Sequence, residues 1–179
     1  MPKEEYLIVL DFLPMGKATD RRSEPIAQGV GERFFSLLEV VIKRGINVKP
    51  KDRIYIGEGK RDIVEYIKKK INYEELTSLA KNLLEEVVSE IVEKNEERFV
   101  NVINTASPIS TRMHSLELLP GIGKKHLFNI LQERKRKPFE SFEDIKNRVE
   151  MIPDPKKIVV KRIISELKNE DRHRLFVLG

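Results

Sequence analysis

The amino-acid sequence predicts an α+β protein in which a small β-unit precedes two helical segments. Three observations lead to this prediction: β-branched and aromatic runs occupy the first 60 residues, the apolar residues then change to helical spacing, and a glycine-containing turn at 120–123 precedes a further helix. The expected organisation is a β-domain with a closing helix at 1–71, an acidic helical linker at 72–106 and a helical domain at 107–179.

Composition limits the classes of protein that the chain can represent. Its 179 residues are 40% apolar, enough for folded cores, and the absence of cysteine excludes disulfides, thiolate metal sites and a cysteine nucleophile. No apolar run reaches the roughly 18 residues of a membrane helix, and the N-terminal stretch has no cleavage-site pattern. We therefore expect a cytoplasmic protein without a membrane partner.

Charge is segregated along the chain. Residues 1–71 hold 15 Lys and Arg against 11 Asp and Glu, residues 72–100 hold 3 against 8, and residues 101–179 hold 16 against 10. Two basic blocks on either side of an acidic one favour contact with a polyanion, because Lys and Arg near phosphates release counterions and steer encounter. Solvated helix faces are the alternative explanation of the same pattern.

Strand-forming runs occur at Tyr6–Pro14, Arg33–Lys43 and Asp52–Gly57, each bounded by Gly, Pro or Asp. Between the first two runs lies a long polar connection that contains Arg21 and Arg22. A connection of that length in a compact β-domain is typical of a functional or mobile loop.

Alternation in the third run predicts a binding face. Ile54 and Ile56 fall on one side and Arg53 and Tyr55 on the other, so a cation beside an aromatic ring would face outward. We expect Tyr55 to stack on an unpaired base while Arg53, Arg21 and Arg22 follow the strand's phosphates. The alternative is that Tyr55 packs under the next element and serves stability.

Helical spacing begins after Lys60. Isoleucines recur every four residues in the stretch 61–71, and leucine, valine and isoleucine recur at three and four in the stretch 73–95, which predicts two amphipathic helices. Asn72 and Glu75 form a capping pattern between them. The acidic helix 73–94 is a candidate surface for a protein partner.

The turn "PGIG" at 120–123 predicts an anion site. A helix over 111–119 would end at the turn and another would begin at Lys124. The two glycines allow close backbone approach beside a helix N-terminus, and Lys124 and Lys125 add full charges for the anion. An ordinary glycine-containing connection in a helical bundle is the alternative. The residues expected on the buried side of the second helix are Leu127, Phe128, Ile130 and Leu131.

The stretch "LPGIGKKHLFNILQERKRKPFESFEDI" resembles the helix-hairpin-helix motif of DNA- and RNA-binding proteins, in its tandem form. Its connector has its own signature, a Ser141 cap three residues before Asp144, with three apolar residues available for packing: Phe139, Phe142 and Ile145. The resemblance implies phosphate contacts from the amides of Gly121, Gly123, Lys125 and His126, with Ile122 fixing the turn to the core. It also implies a possible monovalent cation on the carbonyls of Glu117, Leu119 and Ile122.

The second hairpin of the tandem motif departs from the pattern. The chain reads "VEMIPDPKK" at 149–157, with no glycine. Asp154 as cap and Pro155 at the first helical position still predict a helix start, but an aspartate there opposes a phosphate. Lys156, Lys157, Lys161 and Arg162 keep this helix basic, and we expect this half to be mainly structural, with the lysines as auxiliary contacts.

Over nearly its full length the chain resembles an uncharacterised archaeal family, DUF655-like, in stretches such as "EEYLIVLDFLP", "DRIYIGEGKRD" and "ISTRMHSLELLPGIGKK". The resemblance implies an N-terminal barrel similar to an OB or S1 fold joined to a C-terminal helix-hairpin-helix domain. It implies no activity.

Catalytic patterns are weak. Asp144 lies near the distance at which helix-hairpin-helix glycosylases carry an aspartate, but it already has a capping role, and the histidines His114, His126 and His173 are scattered. "GIGKKH" is not a P-loop. We expect a non-enzymatic, largely sequence-independent nucleic-acid-binding protein without a cofactor, with RNA favoured over DNA. The alternatives are an adaptor in a nucleic-acid-processing or translation complex and an enzyme of unrecognised type.

Overall fold

The structure, a computed structural model, describes residues 3–179 and confirms the α+β class. The strands are β1 (Tyr6–Leu13), β2 (Ile26–Gly31), β3 (Leu37–Ile42), β4 (Arg53–Tyr55) and β5 (Val64–Lys70). The α-helices are α1 (Ser78–Lys94), α2 (Glu96–Thr105), α3 (Lys124–Arg136), α4 (Phe142–Arg148) and α5 (Pro155–Leu167). Short 3-10 turns occur at Tyr73–Glu75 and Ser115–Leu118. Across residues 3–179, none of the helices has the length and apolar character to cross a membrane.

The chain divides into two compact units. The first contains residues up to Val87 together with Glu166–Gly179, and the second contains Val88–Ser165. This division groups the residues differently from the three predicted segments, because the segment 72–106 is shared between the units and the end of the chain belongs with the sheet.

The first unit is built on a curled antiparallel sheet that forms half of a barrel. Its strand order is β4-β1-β2-β3-β5, so β4 and β5 are the two edges. Register shifts fall between Val9 and Asp11 in β1 and at two points along β3 where it pairs with β5. Such irregularities bend and twist a strand, which accounts for the curl. The concave face encloses a core of Leu7, Val9, Ala27, Leu38, Val40, Ile42, Val48, Ile54, Ile56 and Val64.

The opposite face of the sheet carries a row of buried polar side chains. Asp11, Gln28 and Glu39 are consecutive partners across β1, β2 and β3. Gln28 donates to Glu39 over 2.9 Å, and the Thr77 hydroxyl donates to Asp11 over 2.6 Å. Lys17 from the β1–β2 loop makes an ion pair with Glu39. This network covers the face that β2 and β3 would otherwise expose.

The stretch 61–71 was expected to be a helix, and this prediction was wrong. It contains β5, paired with β3 from Leu38 to Ile42. Isoleucines four residues apart lie on one helix face, but four is also two repeats of a strand, so the spacing of Ile63, Ile67 and Ile71 fits both. Tyr55 therefore cannot pack under a helix at this position.

Three smaller expectations were also wrong. The polar connection after β1 contains a fully buried strand, β2, whose sequence "IAQGVG" has no apolar alternation. The helix expected over 111–119 is a single 3-10 turn, Ser115–Leu118. Phe128 was expected in the core, and its side chain is 60% exposed. By contrast, the Asn72–Glu75 capping box and most of the acidic helix are confirmed.

A stability prediction follows from the buried carboxylate of Glu4. Its two oxygens accept the amides of Arg33, Phe34 and Ser36 over 3.0, 2.8 and 3.2 Å, and the residue is 6% exposed. We expect Glu4→Ala to lower the free energy of unfolding by about 2–4 kcal/mol, because three amides lose a charged acceptor. Urea unfolding monitored by circular dichroism measures the loss. Glu5→Ala, at the exposed neighbouring position, is the control, and equal losses in both variants would contradict the prediction.

Candidate nucleic-acid interface

The predicted turn before α3 is closed by one backbone hydrogen bond, from the Ile122 amide to the Leu119 carbonyl over 3.1 Å. Leu119 and Ile122 are both buried and fix the turn to the core of the second unit. Gly123 is the N-cap of α3, and its carbonyl accepts the Leu127 amide over 3.0 Å. The turn therefore presents the helix N-terminus at the surface of a rigid segment.

The two glycines of the turn have different reasons to be glycine. Gly121 has φ +79°, and a Cβ there would lie 3.0 Å from the Pro153 ring, so both conformation and packing require it. Gly123 has ordinary backbone angles, and a Cβ there would meet no atom within 4 Å among the described residues. The internal structure of the chain does not require glycine at 123, which leaves the space outside it open to a ligand.

Apart from that of Ile122, the backbone amides of this turn have no acceptor within the described residues. Within residues 3–179, the amides of Gly121 and Gly123 make no hydrogen bond, nor do those of the first three residues of α3. Gly121, Gly123, Lys124 and Lys125 are exposed. The predicted donors thus lie together on one exposed corner, where the helix dipole is positive.

Lys124 is already engaged beside this corner. Its Nζ pairs with Glu117 over 2.8 Å and donates to the Arg112 carbonyl over 3.1 Å. The hydrogen bond from Lys124, followed by that from the His114 amide, lowers the pKa of Glu117 below its ordinary range. Sequence reasoning missed this ion pair, because a spacing of seven residues across a turn does not predict a contact. Lys125 makes no ion pair within residues 3–179.

His114 positions the segment that leads into the turn. Its Nδ1 accepts the Leu116 amide over 3.1 Å, and its own amide donates to Glu117 over 2.8 Å, so the two residues form a capping box. The ring is 7% exposed. Burial, and secondarily the charge of Arg134, lowers the pKa of His114 below its ordinary value, which keeps Nδ1 free to accept.

A pH dependence follows from the lowered pKa of His114. In the unfolded chain His114 takes up a proton near pH 6.5, whereas in the folded chain it does so at a lower pH. The free energy of unfolding should therefore fall as pH decreases below 6.5. Urea unfolding at pH about 7.5 and about 5.5 measures the change. His114→Asn keeps a capping side chain and should lose less stability over this interval than the parent does. An identical pH dependence in both proteins would contradict the assignment.

The second turn, 149–153, repeats the backbone of the first. The Ile152 amide donates to the Val149 carbonyl over 3.4 Å, and Met151 has φ +58° at the position of Gly121. Pro153 has no amide, and Asp154 caps α5 by accepting the Lys157 amide over 3.2 Å. The turn is therefore kept in shape while the features suited to an anion are absent, in keeping with the expectation that this half is mainly structural.

His126 lies between the two turns. Nδ1 is 3.2 Å from the Gly121 carbonyl and Nε2 is 3.2 Å from the Met151 carbonyl, so each ring nitrogen faces the residue with positive φ in one turn. Carbonyls only accept hydrogen bonds, so the ring donates from a nitrogen that carries a hydrogen, and the tautomer decides which carbonyl receives it. The ring ties the turns together, and the predicted contribution of His126 to phosphate contact rests on its amide.

The cations predicted on the second helix are not equivalent. Lys156 pairs with Glu93 over 3.1 Å, and Lys157 and Lys161 are exposed. Arg162 differs from these lysines, because it is 5% exposed and donates to the Leu118 carbonyl. Its burial follows from its position on the apolar side of α5.

The connector helix α4 is confirmed as predicted. Ser141 accepts the Asp144 amide over 2.9 Å, and Phe139, Phe142 and Ile145 are buried. Asp144 accepts the Glu140 amide over 3.0 Å and pairs with Arg148, and these contacts lower its pKa. A carboxylate held ionised by three partners is poorly suited to proton transfer, which weighs against the glycosylase alternative.

The predicted residues of the first unit lie on the edge strand β4 and in the β1–β2 loop. Arg53 pairs with Glu32 over 2.9 Å and covers the Tyr6 ring at 3.5 Å. The Tyr55 hydroxyl accepts the Gly59 amide over 2.9 Å, so this ring already packs on its own loop. Arg21 and Arg22 are exposed in the β1–β2 loop, which is attached to β5 at the other edge of the sheet through the pairs Lys68–Asp20 and Tyr66–Glu24.

The acidic helix and the implied cation can also be placed. Glu86 pairs with Lys51 and Glu93 with Lys156, so part of the helix's negative charge is used within the chain. Within residues 3–179, side chains of His, Asp and Glu form no group of three that could hold a metal ion. Of the carbonyls implied for a monovalent cation, that of Leu119 already accepts the Ile122 amide.

Fold and site define a small α+β protein with a half-barrel and an exposed amide-lined turn. The chain belongs to the family described as "Protein of unknown function (DUF655)", whose model matches residues 3–178. It is similar to the uncharacterized protein MJ0038 of Methanocaldococcus jannaschii, with 45% identity over 176 residues, 97% of this chain and 80% of the relative. It is also similar to the crystal structure of Af1531 from Archaeoglobus fulgidus, with TM-score 0.87 and 49% identity over 97% of this chain and 99% of that one.

Proposed function

We propose that this protein is a non-enzymatic, largely sequence-independent nucleic-acid-binding protein that favours RNA. The observation that carries the proposal is the exposed corner at this turn, where the amides of Gly121, Gly123, Lys124 and Lys125 have no acceptor within the described residues and Gly123 borders open space. The first amides of a helix have no partner within the helix, and a phosphate oxygen is an acceptor that the positive end of the helix dipole favours.

The turn and its flanking segments act as a helix-hairpin-helix in this proposal. A phosphate lies against the amides of Gly121, Gly123 and Lys125, while the Lys125 ammonium adds a full charge. Contacts to backbone phosphates carry no sequence information, so binding is sequence-independent and sensitive to salt. The second turn contributes rigidity through His126 rather than a phosphate contact.

The half-barrel is proposed to be an OB-like domain. Its strand order is compatible with a five-stranded Greek-key barrel in which β4 and β5 do not pair with each other. In that fold the β1–β2 and β4–β5 loops hold single strands, and here these loops carry Arg21, Arg22 and Arg61. A domain of this kind suits an unpaired nucleic-acid strand, and the hairpin contact is indifferent to sequence, so RNA is favoured over duplex DNA.

Gly123→Val tests the hairpin directly. The substitution fills the space in front of the amides without disturbing a neighbour, so binding to labelled structured RNA, single-stranded DNA and duplex DNA should weaken by about tenfold or more. Fluorescence anisotropy across a salt series measures affinity, and the thermal midpoint should stay near that of the parent. Gly121→Val is the contrasting variant, because it strains the turn and should lower the thermal midpoint as well. Parental affinity in Gly123→Val would remove the hairpin from the mechanism.

Glu117→Gln tests the ion pair beside the hairpin. Glutamine keeps the capping box but releases Lys124 for a phosphate, so affinity for RNA at low salt should rise about two- to fivefold. The anisotropy titrations above measure it, with Glu143→Gln, an exposed carboxylate of α4, as the control for the change in net charge. Unchanged or weaker binding in Glu117→Gln, relative to that control, would contradict the role given to Lys124.

A further inference from the structure

A cavity of about 920 Å³ opens in the first unit between the two edges of the half-barrel. Tyr55 and Ile56 line it from the end of β4, Ile67 and Lys70 line it from β5, and Leu38 of β3 lies between them. We call it the edge cavity. Its volume and its mixture of apolar floor and charged rim are typical of sites for small organic ligands.

The carboxylates of the edge cavity are largely occupied. Glu4 accepts three backbone amides and is nearly fully buried. Glu58 pairs with Lys3 over 2.5 Å, and this contact lowers the pKa of Glu58. Glu5, which is exposed at the rim, is the remaining acidic residue of the lining.

Three cations of the lining have no carboxylate partner within residues 3–179. Arg61 donates to the carbonyls of Gly57 and Ile56 over 2.8 and 3.0 Å, which orients its guanidinium without neutralising it. Arg33 lies with its guanidinium 5.1 Å from the Phe34 ring, and Lys70 is exposed. The lining holds four Lys and Arg side chains against three Glu, and this positive charge beside an apolar floor matches an anion with an apolar body.

We propose that the edge cavity binds one nucleotide, with its base on the floor formed by Tyr55, Ile56 and Ile67 and its phosphate on Arg33, Arg61 and Lys70. Two guanidinium groups and an ammonium match a phosphate with several anionic oxygens better than a carboxylate with one charge. The base gains apolar and aromatic contact. The inference rests on the proposed function where the nucleotide belongs to a nucleic-acid strand. It differs from the outward stacking of Tyr55 predicted from the sequence, because the ligand enters the gap between β4 and β5.

This placement also explains why the ligand would not lie across β2 and β3. The polar row on that face is closed by Thr77, whose hydroxyl reaches Asp11 and whose amide donates to Gln28 over 2.9 Å. The gap between β4 and β5 is the side of the sheet that the chain leaves open. A nucleotide there would contact both edges of the half-barrel.

The test is a titration of the isotope-labelled full chain with adenosine monophosphate, followed by amide chemical shifts. We expect the amide signals of Ile56, Ile67 and Lys70 to shift. Adenosine should bind about tenfold or more weaker than adenosine monophosphate, because the phosphate supplies charge-assisted contacts. Reversal of both exposed cations, Arg33→Glu with Lys70→Glu, should weaken binding by a similar factor. Arg44→Glu, an exposed cation of the same unit outside the cavity, is the control.

Several results would overturn the inference: no binding at millimolar nucleotide, equal binding of adenosine, equal effects of the reversal and of Arg44→Glu, or shifts confined to residues 119–126. Single-stranded RNA could bind through the hairpin while the edge cavity takes up no nucleotide. That result overturns this inference and supports the proposed function. Adenosine monophosphate in the edge cavity, with no strand bound under any condition, supports this inference and overturns the proposed function.

Discussion

Buried carboxylates that collect backbone amides organise this protein. Glu4 binds three amides of the turn after β2, and Glu166 accepts those of Leu175, Phe176 and Val177 over 2.9, 3.0 and 2.9 Å while only 1% exposed. Glu117 and Asp154 do the same for single amides at the entrances to a turn and a helix. Each pairing removes the cost of an unsatisfied amide in a segment without regular structure. Against this background, the amides before α3 stand out because no carboxylate of the described chain serves them.

The two turns of the second unit have the same backbone shape but differ in the groups that could bind an anion. Both hold a residue at positive φ and both close with the same backbone bond, yet one carries Gly121 and Gly123 where the other carries Met151 and Pro153. Methionine in the left-handed region costs on the order of 1 kcal/mol, so the second turn keeps its geometry against its own residue preference. Such a cost is tolerated where the surrounding structure fixes the backbone, and here Nε2 of His126 lies within hydrogen-bond distance of the Met151 carbonyl.

Local signals in the sequence predicted much of the fold. Caps at Asn72, Ser141 and Asp154 depend on neighbouring residues, and the structure contains all three. The strand β5 was missed because a spacing of four suits both regular structures, and only pairing with β3 decides between them. The roles of His114 and Glu117 were missed because they depend on burial and on a contact across a turn. The edge cavity had no sequence signal, since its lining comes from separated strands and loops.

The order of the two units along the chain has a consequence for synthesis. Residues 88–165 form the second unit, and the segment from Glu166 onward returns to the first, where the Leu178 amide bonds to the Phe34 carbonyl. The second unit is thus an insertion within the first. Because a ribosome delivers residues in sequence, the first unit cannot complete its structure until the inserted unit has been made. The nascent first unit must therefore wait, without its last segment, while residues 88–165, most of the remaining chain, emerge and fold.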